Sequence, residues 1–262
     1  MAFALEDITA SGDAGPPRLV IYGPHGVGKT TLAASTDKPL VLELEEGIDA
    51  LGALDGTPKI RHEKLQSFED VMAVIELLYN SEHTHAHLVF DSLDWLEPLI
   101  WAHTCKTHGV ANIEAFGFGK GYLHAQSYWR ELLSGLRALR NDRGMGIVMT
   151  AHAEIKRFDA PDADPYDRYG IKLQTRAAAL IEEWSDAILF CNYKTYTTEK
   201  EVGFNKKVAR GVGTGQRIIY TEERPAFKAK NRYDLAPELP FTKGMTLHTI
   251  LNGHVEPLKG AA

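Results

Sequence analysis

The eight residues GPHGVGKT, Gly23 to Thr30, constrain this chain more than any others. They follow RLVIYG (18–23), a short apolar β-branched run with the pattern of a buried strand, and precede KTTLAAST, which reads as helix. A Gly-rich turn between strand and helix can curl its N–H groups around phosphate oxygens, because no Cβ stands in the way. The helix adds its unpaired donors and positive dipole end. In that context the G-x-x-x-x-G-K-[ST] spacing assigns Gly23, Pro24, His25, Gly26, Val27, Gly28, Lys29, Thr30 and Thr31 to nucleoside triphosphate binding. Lys29 is expected to reach the β- and γ-phosphates and the Thr30 hydroxyl to ligate Mg2+, so ATP and Mg2+ are the expected ligands.

Downstream, strand and helix patterns alternate. KPLVLELEEG (38–47) reads as a strand starting after Pro39, and TPKIRH as a short third one. SFEDVMAVIELLYN opens with Ser67 and has Asp70 three residues later, a carboxylate variant of the capping box. Val71, Val74, Ile75 and Leu78 then form a helical stripe. HLVFDS (87–92) is a buried strand ending in an acid, and HAQSYWRELLSGLRALR a helix with Trp129, Leu132, Leu133, Leu136 and Leu139 on one face. MGIVMTAH is a strand, TRAAALIEEW a helix, and DAILFCN a strand again. After about Asn192 helical periodicity fades into short runs punctuated by Gly, the pattern of antiparallel hairpins. The expected class is α/β: a mostly parallel central sheet flanked by helices, with C-terminal antiparallel hairpins. The expected organisation is a flexible arm over 1–17, an ATPase core over 18–240 and an extension over 241–262.

Hydrophobic content of 44% and charged content of 24% fit a soluble globular protein, and no apolar run approaches the ~20 residues that span a bilayer. The start lacks a basic segment followed by an apolar one, so a cytoplasmic protein with no membrane partner is expected. Cys105 and Cys191 stand far apart and read as reduced thiols. His83, His85 and His87 alternate without a Cys or carboxylate spaced to complete a metal site, and read as a polar strand entry. Trp95, Trp101, Trp129 and Trp184 are expected in the core. Charge is uneven: residues 191–232 hold 10 Lys and Arg against 4 Asp and Glu, in a chain of net charge −6. Such a stretch suits a local polyanion, or simply a basic hairpin.

Mg2+ needs a carboxylate at the tip of a neighbouring strand, and LVFDS supplies Asp91. No Glu follows it, so the base for hydrolysis comes from elsewhere. Glu43 and Glu45 share a face of the second strand by alternation, and Glu45 lies nearer its C-terminal end, where open α/β sheets bind ligands. Glu45 is the candidate for polarising the attacking water, and Glu46 reads as a solvated loop acid. His152, two residues after Thr150, can contact the γ-phosphate and relay its presence into the next loop. FKAKNRYD (227–234) sets Lys228, Lys230 and Arg232 on one side of an extended strand.

Together, the phosphate loop, LELEEGID, VFDS, the polar residue after VMTA, and AKNRY on a late hairpin resemble the RecA-type core. More narrowly, FGFGKGY, TAHAE and TGQRIIYTEERPAFKAKNRYDL are similar to phage-encoded RecA-like ATPases of single-strand annealing and recombination, from about Arg18 to about Pro240. The resemblance implies DNA-stimulated ATP hydrolysis by a homo-oligomer, filament or ring, acting on single-stranded DNA with a single-strand-binding protein as a further partner. It implies that Lys230 and Arg232 touch ATP held by a neighbouring subunit. It also implies DNA loops after the Asp91 and His152 strands, carrying Phe118 and Lys120 in the first and Lys156, Arg157, Arg168 and Lys172 in the second. Cations interleaved with aromatics suit single strands. The N- and C-terminal domains of full-length RecA proteins are missing from the pattern, and His152 stands where that family has Gln. Two other readings remain: a nucleotide-switched accessory or loader protein working through a protein partner, and a small-molecule P-loop kinase.

Overall fold

The computed structural model describes residues 15–253 apart from positions 48, 50, 163 and 202–206, with side chains across that span except at 53, 196–201 and 207–214. Most of the expected arm (1–17) and the end of the extension (254–262) lie outside the described residues.

The centre of the sheet is parallel. β1 (Arg18–Gly23) lies between β7 (Ala187–Glu201) and β5 (Gly146–Phe158), and β4 (His87–Asp91), β2 (Pro39–Glu43) and β3 (Lys59–Ile60) follow outward from β5. The phosphate-loop strand is thus separated from the Asp91 strand by the His152 strand. On the other side, β8 (Lys207–Tyr220) pairs antiparallel with β7, and β10 (Glu238–Pro240) with β8. β9 (Lys230–Asn231) pairs with the start of β7, and β6 (Tyr166–Ile171) with the far half of β5. The mixed α/β architecture with a mostly parallel sheet and C-terminal antiparallel strands is present as the alternating patterns imply.

Strand alternation divides the core between two faces. Val20 and Tyr22 of β1 face α2 (Phe68–Asn80), α3 (Leu93–His108), α4 (Lys120–Arg143) and α5 (Thr175–Trp184), with Trp129, Leu132, Leu136 and Ile181 buried among them. Leu19 and Ile21 face the opposite way, toward α1 (Lys29–Ala33) and α6 (Leu247–Leu251). Phe241, Leu247 and Ile250 of the C-terminal segment are buried in that second cluster. Burying three such side chains contributes on the order of 5 kcal/mol before chain entropy is counted.

Ser67 caps α2 as its sequence implies: its Oγ accepts from Asp70 N at 3.1 Å and donates to Asp70 Oδ2 at 2.7 Å. The Asp70 carboxylate also accepts from the N–H of Gln66, one residue further out than the box predicts. Trp129 and Trp184 are core residues, but Trp95 is exposed on α3. β5 runs to Phe158, well past His152, so the expected second loop is a hairpin whose register pairs Ala153 with Ile171 and Phe158 with Tyr166. There exposed Ile155 and Arg157 alternate with half-buried Glu154, Lys156 and Phe158, which a half-solvated strand accommodates as readily as a loop. The expected first loop is shortened as well. α3 reaches His108, a 3-10 turn covers Ile113–Phe116, and α4 starts at Lys120.

Candidate nucleotide site at the C-terminal ends of the parallel strands

β1 ends at Gly23, whose position has no room for a side chain: a Cβ there would stand 2.1 Å from the Cys191 carbonyl oxygen. Val27 is buried and anchors the turn, and Gly28 caps α1 at φ 105°, a left-handed conformation that glycine adopts freely. Lys29 is buried, and its Nζ donates to the Gly23 and Pro24 carbonyls at 3.1 and 3.0 Å. Burial lowers its pKa, with Asp91 opposing that shift. The Lys29 amine therefore sits against loop carbonyls that a phosphate oxygen can replace.

Beside it, Asp91 closes β4. It accepts from Thr30 Oγ1 at 2.9 Å and from Thr150 Oγ1 at 2.5 Å. Burial raises its pKa, with the two hydroxyls and Lys29 pulling the other way. The adjacent Thr30 hydroxyl and Asp91 carboxylate are hard oxygen donors, and they fit Mg2+, which takes few protein ligands and fills its shell with water and phosphate.

Glu45 is not on a strand. β2 stops at Glu43, which pairs with Lys59 at 3.1 Å, and Glu45 follows in a bend held by its own N–H on the Asp91 carbonyl at 3.1 Å. Ser92 Oγ lies 3.5 Å from its carboxylate. Glu46 is exposed, as expected of a loop acid. His25, Gly26, Lys29, Thr30, Thr31, Glu45, Asp91 and His152 line one cavity of about 230 Å³. The structure thus brings together the phosphate loop, the Mg2+ pair, the candidate base and the candidate relay.

His152 has a partner that spacing did not reveal. Asp94, in the first turn of α3, accepts from His152 N at 3.0 Å and from His152 Nδ1 at 2.8 Å. Burial pushes the Asp94 pKa up, but the His152 donors outweigh it and hold the carboxyl at about 2. A carboxylate at Nδ1 assigns the ring proton there and leaves Nε2 as the working nitrogen. The His152 ring stacks on His25 of the phosphate loop, with centroids 3.8 Å apart. The His25 pKa is lowered by His152 first, then by burial and Lys29. In the sequence, Asp94 stands three residues after Asp91, in the first turn of α3. That spacing was the available signal.

Two more residues hold the loop from β7 and β8. Arg217 Nη1 donates to the Val27 carbonyl at 3.0 Å and its guanidinium stacks on Phe241, while Tyr193 OH donates to the Gly26 carbonyl at 3.3 Å. Neither carries a local motif.

The other expected residues lie apart from this cavity. Phe118 is fully exposed with φ 51°, next to Lys120 at the start of α4. On the β5–β6 hairpin, Lys156 bonds the Leu173 carbonyl and pairs with Glu154, and Arg157 pairs with Asp159. Arg168 pairs with Glu223 at 3.0 Å and stacks on Phe158. Lys172 is exposed, and its N–H donates to the His152 carbonyl at 2.9 Å. Lys230 and Arg232 stand at the opposite end of the strands. Lys230 Nζ donates to the Glu182 and Glu183 carbonyls at the end of α5, and Arg232 reaches Asp186 at 3.3 Å. Lys228 pairs with Glu182, so all three cations do lie on one side, although only Lys230 and Asn231 form a strand.

A phosphate loop, an Asp91–Thr30 pair and a sheet in which β5 separates the two define a nucleotide-binding P-loop protein of mixed α/β fold. The chain belongs to the AAA domain family, whose model matches residues 15–233. It is also similar to a solved structure described as "Crystal structure of the RadB recombinase", at 16% identity and a TM-score of 0.48, over 94% of this chain and 92% of that one. A likeness at that level adds nothing to what the topology shows. No curated protein matches. Among the described residues no helix is long and apolar enough to cross a membrane.

Proposed function

We propose that this protein is a RecA-like ATPase that hydrolyses ATP with Mg2+ and acts on single-stranded DNA as a homo-oligomer, in recombination or annealing of the phage type. The observation that carries this reading is the position of His152. It is stacked on the phosphate loop, oriented by Asp94, and continuous with the β5–β6 hairpin that bears Lys156, Arg157 and Arg168. A two-state contact there can report nucleotide state to a nucleic-acid surface.

In this mechanism Lys29 leaves the Gly23 and Pro24 carbonyls for the phosphates, and Arg217 and Tyr193 hold the loop while it does so. Thr30 and Asp91 would hold Mg2+, which would supply positive charge against the phosphate oxygens. Glu45 orients the attacking water and takes its proton. His152 Nε2 faces the terminal phosphate, with Asp94 keeping the ring in place. Lys230 and Arg232 lie too far from the loop of their own chain, about 16 Å along β1 if each strand residue rises 3.3 Å. They serve the nucleotide of a neighbouring copy.

A nucleotide-switched accessory protein is the second reading, favoured by the hairpin cations already being paired with Glu154, Asp159 and Glu223. ATP turnover measured with single-stranded DNA across a series of salt concentrations separates the two. The proposal expects stimulation that weakens as salt rises. No stimulation at any salt would sink it in favour of a protein partner.

A further inference from the structure

Between α4 and α5, at the N-terminal ends of the parallel strands, lies a cleft of about 470 Å³ lined by Arg18, Arg130, Arg137 and Arg232. Arg18 opens β1, so the cleft lies at the opposite end of that strand from the phosphate loop. Arg130, Ser134 and Arg137 recur at helical spacing on one face of α4, while Arg18 opens β1 and Arg232 follows β9. Asp186 bonds Arg18 through both carboxylate oxygens, at 2.9 Å to Nε and 2.5 Å to Nη2, and it also takes Arg232. Among the described residues, Glu183 is the carboxylate that lines the cleft itself, and Asp186 joins it through Arg18 and Arg232.

Four guanidinium groups therefore face two carboxylates. Arg130 and Arg137 are exposed and have no hydrogen-bond or ion-pair partner among the described residues. The surplus is two positive charges, concentrated in a chain whose net charge is −6. Guanidinium stays charged at every working pH and offers forked donors that match phosphate oxygens. A phosphomonoester carries roughly 1.5 to 2 negative charges at neutral pH, which matches that surplus. Burial and then Arg232 lower the pKa of nearby Lys230, which agrees with a positive field at this end of the sheet.

We propose that this cleft binds a terminal phosphate, held by Arg130 and Arg137 from α4 against the Arg18–Asp186–Arg232 floor. The phosphate is that of a free nucleotide or polyphosphate, or the 5′ end of a nucleic-acid strand. The proposal stands independently of ATP hydrolysis at the phosphate loop.

The test uses the full chain carrying Lys29→Ala, so that the phosphate loop is impaired, with and without Arg130→Gln and Arg137→Gln. Both arginines are exposed and have no partner among the described residues, so these changes leave the fold intact. Titration calorimetry measures pyrophosphate, and fluorescence anisotropy measures a short oligonucleotide with a 5′-phosphate against the same strand with a 5′-hydroxyl. At least a tenfold loss of affinity for pyrophosphate or for the 5′-phosphorylated strand in the double-Gln variant supports the site. A tenfold preference for the 5′-phosphate over the 5′-hydroxyl assigns it to a strand end, and binding of pyrophosphate without that preference assigns it to a free polyphosphate. Affinities that do not change with the two glutamines, or no binding of any probe, overturn the proposal.

Discussion

At the C-terminal ends of β1, β4 and β5, Lys29 and Asp91 are buried and bonded to loop carbonyls and hydroxyls, partners that a ligand can replace. At the N-terminal ends of β1 and β7, the charges are partly spent on structure. Arg18 and Arg232 share Asp186, and Lys230 binds the last carbonyls of α5, where a cation also meets the negative end of the helix dipole. One end is arranged for exchange and the other mainly for anchoring, with Arg130 and Arg137 left over. Substitutions at the first end should change turnover more than stability, and those at the second should change stability or assembly as well.

Lys29→Ala should have the largest effect, cutting ATP turnover by about 10²-fold or more while the melting temperature holds. Steady-state turnover and thermal unfolding measure the two quantities. A loss of stability matching the loss of turnover would erase the contrast between the ends. Asp94→Asn keeps the shape but releases His152, and should lower turnover by about 10- to 100-fold with a changed pH profile. The Asp94 carboxyl, held at about 2, lies below its unfolded value, so its stabilising contribution is present above about pH 4 and fades as pH falls through 2. Acid unfolding of the wild type and Asp94→Asn should therefore converge toward pH 2. Arg217→Ala frees the Val27 carbonyl and should raise the KM for ATP roughly five-fold, the equivalent of one ordinary hydrogen bond.

Glu97 supplies the smallest effect. It accepts from Gln174 N with both oxygens, and burial pushes its carboxyl up to about 7. Between about pH 4.3 and 7 the folded chain keeps a proton that the unfolded chain has released, so stability falls as pH rises through that window. Glu97→Gln should flatten that decline in denaturant titrations at pH 5 and pH 8. An unchanged slope would show that Glu97 is ionised in the fold.

The exchangeable end was largely legible in the sequence, because its chemistry is local: one eight-residue turn and the acids or hydroxyls that close short apolar strands. Asp94 is not legible as a site residue because its partner lies 58 residues away, and the strand expected to carry Glu45 stops two residues sooner. The anchored end was hardly legible. Arg18, Arg130, Asp186 and Arg232 meet only after β1, α4, β7 and β9 are packed, and no spacing rule joins them. The β5–β6 hairpin reads as a loop in the sequence because Pro and Asp mark its turn while its paired strands carry charge on their solvated side. FKAKNRYD did show its shared face, but its anions within the chain, Glu182, Asp186 and the end of α5, lie more than forty residues before it.

The central claim is that the two ends complete each other across neighbouring copies. Mixing Lys29→Ala chains with Lys230→Ala chains tests it directly, because one of the two orientations of a mixed interface pairs an intact phosphate loop with an intact Lys230. The account predicts ATP turnover in the mixture well above the sum of the two variants measured alone. A mixture no more active than that sum would contradict it.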